Sequence, residues 1–276
     1  MTAQGTLTLL ACQIDIPETP TAAARDQHLA NSAAKVRAAL ARQPADLVVL
    51  PELSSIDYSR AAFDQLDEIA EPLQGASFQV WRAVAIECGV HISYSFAHRD
   101  ATGTYISIAV VTPAGTLLGH YNKLHTCQYG ASMEKEYFDR GDHIFTYQIN
   151  GLTLAPMICY DIRIPELART LTLKHGVDLL VHCGAYYRDE SFETWHAFTT
   201  TRAMENQVFL LSLNRAGQTW GNSRFCWPWM DETTPPVQFA DTAEEFAHIT
   251  ITKDQLLQAR EDYTFLKDRL SDYDAL

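Results

Sequence analysis

Leu154-Ala-Pro-Met-Ile-Cys-Tyr-Asp-Ile-Arg-Ile-Pro-Glu-Leu167 is the segment around which the rest of the sequence arranges itself. Its apolar run reads as a buried strand that stops abruptly at Cys159 and gives way at once to polar residues. Pro165 suits a first helical turn, and Glu166 puts negative charge where a helix dipole is positive. A strand, a sharp bend bearing a thiol, and a helix form a nucleophile elbow, which presents the side chain and aims backbone N–H groups past it. Cys159 is therefore the candidate nucleophile. The competing reading is an inert cysteine, because cysteine is among the most buried residue types.

Working outward, residues 145–149 and 152–158 form a hairpin across Asn150-Gly151, a strong turn signal. Downstream, residues 177–183 read as a second buried strand, followed by a helix over 193–206 and a strand over 208–214. Upstream, residues 6–16 are rich in strand formers and end at the Pro17 and Pro20 breakers. A helix capped by Thr21 follows, with Leu29, Ala33, Val36 and Leu40 on one face and Arg25, Lys35, Arg37 and Arg42 pointing elsewhere. Asp46-Leu-Val-Val-Leu50 reads as a central strand and delivers Glu52 at its end.

Helical periodicity covers residues 59–70 and 77–88, the latter stopped by Gly89, and strands follow over 91–97, 105–111 and 116–120. The stretch from Tyr121 to Gly141 has little periodicity, and long loops in compact domains are usually functional or disordered. Short strands near 224–227, 237–240 and 246–251 precede a charged helix from Lys253. Alternating strands and helices without a Pro/Gly/Ser-rich linker predict one α/β domain over residues 1–276.

A formal net charge of -13 would repel phosphate backbones and anionic membrane surfaces, so neither nucleic acid nor membrane is an expected partner. The six cysteines form no C-x-x-C pair, which suits a reduced interior. No basic leader with an apolar core opens the chain, and no apolar run reaches membrane-span length; a soluble, cytoplasmic protein is expected.

Three chemical groups stand at the ends of elements: Glu52, Lys123 and Cys159. A thiol needs a base, and a carboxylate in a desolvated pocket has its proton affinity raised enough to serve. Attack on a carbonyl or nitrile carbon creates negative charge, which the Lys123 ammonium and the backbone N–H of Tyr160 can hold where water is excluded.

Four windows resemble the nitrilase superfamily of carbon-nitrogen hydrolases, whose members share a Glu-Lys-Cys triad. Asp46-Leu-Val-Val-Leu-Pro-Glu52, Tyr121-Asn-Lys-Leu-His125 and Met157-Ile-Cys-Tyr-Asp-Ile-Arg163 are similar to its glutamate, lysine and cysteine segments, in that order. Arg202-Ala-Met-Glu-Asn206 is similar to a further signature. The resemblance implies a four-layer α-β-β-α sandwich paired as a homodimer, with no cofactor and no metal. It also implies a second active-site glutamate ahead of Gly141: Glu134 has the commoner spacing, with Glu136 as the alternative. The late segment departs from the family pattern, since Gly221-Asn-Ser-Arg-Phe-Cys-Trp-Pro-Trp-Met230 ends in methionine where the family has glycine. If that position needs a positive φ, Met230 is strained, and a rebuilt turn after Pro228 reshapes the pocket.

The implied activity is an amidase that hydrolyses a small linear carboxamide to an acid and ammonia through a cysteine thioester. The Cys-Tyr-Asp-x-Arg pattern resembles the amidase and omega-amidase-like branch, whereas true nitrilases tend to carry Trp-Glu after the cysteine. Arg163 is a candidate for binding a substrate carboxylate, which would suit a dicarboxylic acid monoamide; alternatively it pairs with Asp161 or another local carboxylate and braces the elbow. An N-carbamoyl amidohydrolase, a nitrilase and a non-catalytic binding protein of the same fold are the alternatives. Zinc at His182 and Cys183 has little support, since adjacent ligands without a second pair do not make a tetrahedral set. Tyr186, Tyr187, Trp195, Trp220 and Trp227 are read as core rather than as ligand contacts.

Overall fold

The structure, a computed structural model, describes residues 5–273; residues 1–4 and 274–276, which the one-domain reading includes, lie outside them. The first half contains β1 (Thr6–Gln13), α1 (Ala22–Arg42), β2 (Leu47–Val49), α2 (Arg60–Phe63), α3 (Leu66–Ile69), α4 (Ala76–Cys88), β3 (His91–Arg99), β4 (Thr104–Val111) and β5 (Leu117–Asn122). The second contains β6 (Tyr147–Ile149), β7 (Leu152–Ile158), α5 (Pro165–His175), β8 (Leu179–Cys183), α6 (Phe192–Asn206), β9 (Phe209–Leu213), β10 (Arg224–Cys226), β11 (Val237–Gln238), β12 (Glu245–Thr252) and α7 (Lys253–Asp262).

Two mixed six-stranded sheets result, ordered β12-β1-β2-β3-β4-β5 and β11-β10-β9-β8-β7-β6. Each has parallel strands at its centre, the place for continuous apolar runs such as Leu47–Val49 and Leu179–Cys183. Leu9, Val49 and Ile108 share one core cluster with Leu154, Val181 and Leu211, so the two sheets pack face to face. Leu10, Val48 and Tyr94 pack instead with Leu29, Val36, Trp81 and Val84 of α1 and α4. Helices α5 and α6 cover the outer face of the second sheet, where Trp195 of α6 reaches Ser212 of β9. The layers are therefore α-β-β-α, as the resemblance implies.

Local chemistry explains most boundaries. Thr21 caps α1 by accepting from the N–H of Ala24 at 3.2 Å, and Gly89 closes α4 with φ 65°. Asn150 and Gly151 both take positive φ in the hairpin turn. Three expectations needed correction. The periodicity over 59–70 spans two single-turn helices, with Ser59 capping the first. Arg25 is buried rather than facing solvent, and its guanidinium donates to the carbonyl of Ile69 at 2.8 Å. Met230 is buried without a positive φ, so the anticipated strain is absent.

The loop after β5 is fastened to the sheets at Gly141, whose N–H donates to the carbonyl of Lys123 at 2.8 Å. A Cβ there would overlap the backbone carbonyl of Asn122. Gly141→Ala is expected to cost about 1–3 kcal/mol in urea unfolding, because backbone must move to admit the methyl group. An unchanged midpoint would show that this close approach has slack.

Candidate active site

Glu52 stands just beyond β2, on a turn held by the left-handed Leu53, φ 47°. The turn is tied down by Arg215, which follows β9: its buried guanidinium donates to the carbonyls of Leu53, at 2.8 Å, and Ile56. Lys123 follows β5, and its N–H bonds back to the carbonyl of Ile106 at 2.9 Å. Cys159 directly follows β7 with φ 45°, a conformation of the kind that L-residues keep only where surrounding structure enforces it.

Asp161 supplies much of that enforcement. One carboxylate oxygen accepts from the N–H of Ile158 at 3.0 Å and from the hydroxyl of Tyr121 at 2.7 Å. The other meets the N–H of His125 at 3.1 Å and its Nδ1 at 2.7 Å. The lysine segment and the cysteine elbow are thus sewn together by a single buried carboxylate. Arg202 steadies the far end of the elbow, donating to the carbonyl of Ile162 at 3.0 Å.

These supports bring four predicted side chains together. The Lys123 ammonium lies 2.8 Å from Oε1 of Glu52 and 2.7 Å from Oε1 of Glu134, all three side chains being fully buried. Glu134 is held in turn by the hydroxyl of Tyr58 at 2.7 Å and the N–H of Cys127 at 2.8 Å. Glu136 lies apart, at the surface, bound to Arg60. Cys159 is buried beside these groups, close enough for the charges of Glu52 and Lys123 to act on its thiol.

Burial disfavours charge and opposite charges restore it, so the groups titrate unequally. Desolvation pushes Glu52 up to about 7 despite the opposing pull of Lys123. Burial works against the Lys123 charge too, but Glu134 and Glu52 hold that ammonium well above 10.5. Burial, reinforced by the negative charge of Glu52, drives the Cys159 thiol well above its ordinary 9.0. Near neutral pH the cluster therefore contains a fixed cation, a protonated thiol and, in Glu52, a carboxyl divided between its two forms whose ionised fraction can take the thiol proton.

A narrow pocket opens on this cluster, with a cavity volume of about 30 Å³. Cys159, Tyr160 and Glu134 line it, as does Arg163. Arg163 does not pair with Asp161. It donates to the carbonyl of Ser191 at 3.1 Å and the hydroxyl of Thr194 at 3.2 Å, and lies over the rings of Phe198 and Tyr129. Among the described residues no carboxylate forms an ion pair with it. Sequence reasoning missed Tyr58, Tyr129 and Asp189 in the lining, and it read Tyr186 and Tyr187 as core, whereas both line the pocket and Tyr187 is exposed; only aromatic content pointed to any of them. Trp195 is core, and Met230 lies outside this pocket. Among the described residues no group of His, Cys, Asp and Glu is placed to hold a metal ion.

The layering and the buried cluster at its elbow define the class, an α-β-β-α hydrolase. The chain belongs to the carbon-nitrogen hydrolase family, whose sequence profile matches residues 9–251. It is 30% identical over 254 residues to omega-amidase NIT2 of Xenopus tropicalis, covering 88% of this chain and 89% of that one. It is 31% identical over 228 residues to an (R)-stereoselective amidase of Pseudomonas, covering 81% and 79%. A carbon-nitrogen hydrolase from Helicobacter pylori shares the fold with a TM-score of 0.84 at 23% identity, over 97% of each chain.

The raised Glu52 pKa makes a prediction about stability. A carboxyl whose folded pKa of about 7 stands above its ordinary 4.5 supports folding fully below pH 4.5 and loses that support as pH rises through 7. Glu52→Gln has no such proton to lose. Its urea midpoint, relative to the parent, is expected to rise between pH 4.5 and pH 7; parallel pH profiles would contradict this.

Proposed function

We propose that the chain is an amidase that hydrolyses a small linear carboxamide, a dicarboxylic acid monoamide, through a thioester on Cys159. The observation that carries the reading is the buried Glu52–Lys123–Glu134 cluster against the Cys159 thiol. Glu52 takes the thiol proton as sulfur attacks the amide carbon. The Lys123 ammonium and the Tyr160 N–H hold the developing oxyanion. Glu52 returns the proton to the departing nitrogen, ammonia leaves, and the same carboxylate then activates water against the thioester. Glu134 keeps the ammonium aimed and charged, itself held by Tyr58 and Cys127.

The preference for a monoamide rests on Arg163. This guanidinium lines the pocket, bonded only to neutral oxygens and stacked on rings, so a substrate carboxylate can meet it without displacing a protein carboxylate. The likeness to an omega-amidase supports the same substrate class. The proposal includes one domain, a cytoplasmic location and a homodimer. All six cysteines are free thiols, which supports the location. Exposed Leu173 on α5 lies one turn from Arg169, which lines a surface cleft with Phe265 and Tyr273, and this supports the pairing. Among the described residues no helix is long and apolar enough to cross a membrane.

Ammonia release from succinamate, propionamide, carbamoyl amino acids and small nitriles tests the reading. Turnover of succinamate is expected to exceed that of propionamide and to vanish in Cys159→Ala; activity confined to nitriles would overturn the amidase. Arg163→Met is expected to raise KM for succinamate about tenfold or more while leaving propionamide unaffected. Equal effects on the two amides would remove Arg163 from substrate recognition.

A further inference from the structure

Two buried side chains with no part in the proton transfers converge on the backbone of the nucleophile. Nε2 of His182 lies 3.0 Å from the carbonyl oxygen of Cys159, and the hydroxyl of Tyr186 donates to that same oxygen at 2.8 Å. Parallel pairing sets Ile158 beside Cys183, which brings the adjacent His182 beneath the elbow. The next register places His182 beside Ser212, whose Oγ lies 2.8 Å from Nδ1. Trp195 completes the chain by donating to Oγ of Ser212 at 2.8 Å, and its ring stacks on Tyr186 with centroids 4.4 Å apart.

The direction of every proton in this chain follows from chemistry. An indole N–H can only donate and a carbonyl oxygen can only accept. Burial lowers His182 to about 4, so at neutral pH its ring carries one proton. That proton belongs on Nε2, which faces the Cys159 carbonyl. Nδ1 therefore accepts from Ser212, and Ser212 accepts from Trp195. The tautomer is fixed by the Cys159 carbonyl, and the Trp195–Ser212 pair accommodates it.

We propose that His182 and Tyr186 are positioning residues of the oxyanion site, clamping the Cys159 carbonyl so that the N–H of Tyr160 is aimed and polarised. The proposal rests on the thioester reading above. The carbonyl of residue 159 and the N–H of residue 160 are the two ends of one planar trans peptide, so they point in opposite directions. Anchoring one end fixes the other. Two donors on the carbonyl also draw electron density through the amide, which strengthens its N–H as a donor. Such strengthening matters most where negative charge develops without water. The left-handed φ of Cys159, 45°, is a strained conformation, and hydrogen bonds on the carbonyl that follows it help the elbow to hold its shape.

Two electrophiles separate this role from a merely structural one. Acylation of the thiol by p-nitrophenyl acetate passes through an oxyanion and releases p-nitrophenolate, whereas alkylation by iodoacetamide displaces iodide at a saturated carbon and forms none. Tyr186→Phe, which keeps the ring stack, and His182→Leu are each expected to slow acylation about tenfold, the worth of one well-placed hydrogen bond. Alkylation should stay within about twofold, since it does not use the oxyanion site. His182→Gln, which retains a side-chain N–H, should recover part of the loss. Parallel loss of both rates, or acylation at the native rate in both variants, would overturn the proposal while leaving the thioester reading intact. Native p-nitrophenolate release from Cys159→Ala would overturn both.

Discussion

One buried ammonium shared between two carboxylates sets the terms for everything around it. Lys123 is fully enclosed with Glu52 and Glu134 at hydrogen-bonding distance, and three charges of this kind survive without water only when each is held by the others. Removing Lys123 would leave two like charges buried without a counter-ion, whereas removing either carboxylate leaves one balanced pair. The arrangement also has one negative charge in excess if all three ionise, and the charge of Glu134 adds to the desolvation that raises the pKa of Glu52. A group made reluctant to lose its proton is well matched to take one from a thiol and to give it back.

The scaffold brings these groups together from distant parts of the chain. Glu52 and Lys123 follow strands of the first sheet, Glu134 sits in the loop beyond Lys123, and Cys159 follows a strand of the second sheet. Facing sheets bring the ends of β2, β5 and β7 to one locus, and side-chain bridges fix it. Asp161 joins the elbow to the lysine segment, and Arg215 fastens the glutamate turn. Two residues in left-handed conformations, Leu53 and Cys159, lie beside or within the cluster. The density of hydrogen bonds around them is the physical counterpart of that strain.

What could be read from the sequence depended on how local the cause was. The elbow at Cys159, the turn at Asn150-Gly151 and the buried runs of β2 and β8 follow from residues adjacent in the chain. The choice between Glu134 and Glu136 does not, because both sit in an aperiodic loop and only the tertiary contacts bury one against Lys123 and leave the other on Arg60. The same holds for β12, which returns from the far end of the chain to pair with β1. The contact of His182 with the elbow exists only through the parallel register of three strands. The freedom of Arg163 from Asp161 was invisible for a related reason: four hydrogen bonds from three residues, Tyr121, His125 and Ile158, decide where that aspartate points.

The central claim is that this cluster makes Cys159 an acyl carrier. Rapid-quench mass spectrometry of the native chain during succinamate turnover tests it most directly. The account predicts a transient adduct equal in mass to the substrate less ammonia, located on the peptide that contains Cys159. Accumulation of ammonia with no adduct on that peptide, or with the acyl group on another residue, would contradict it.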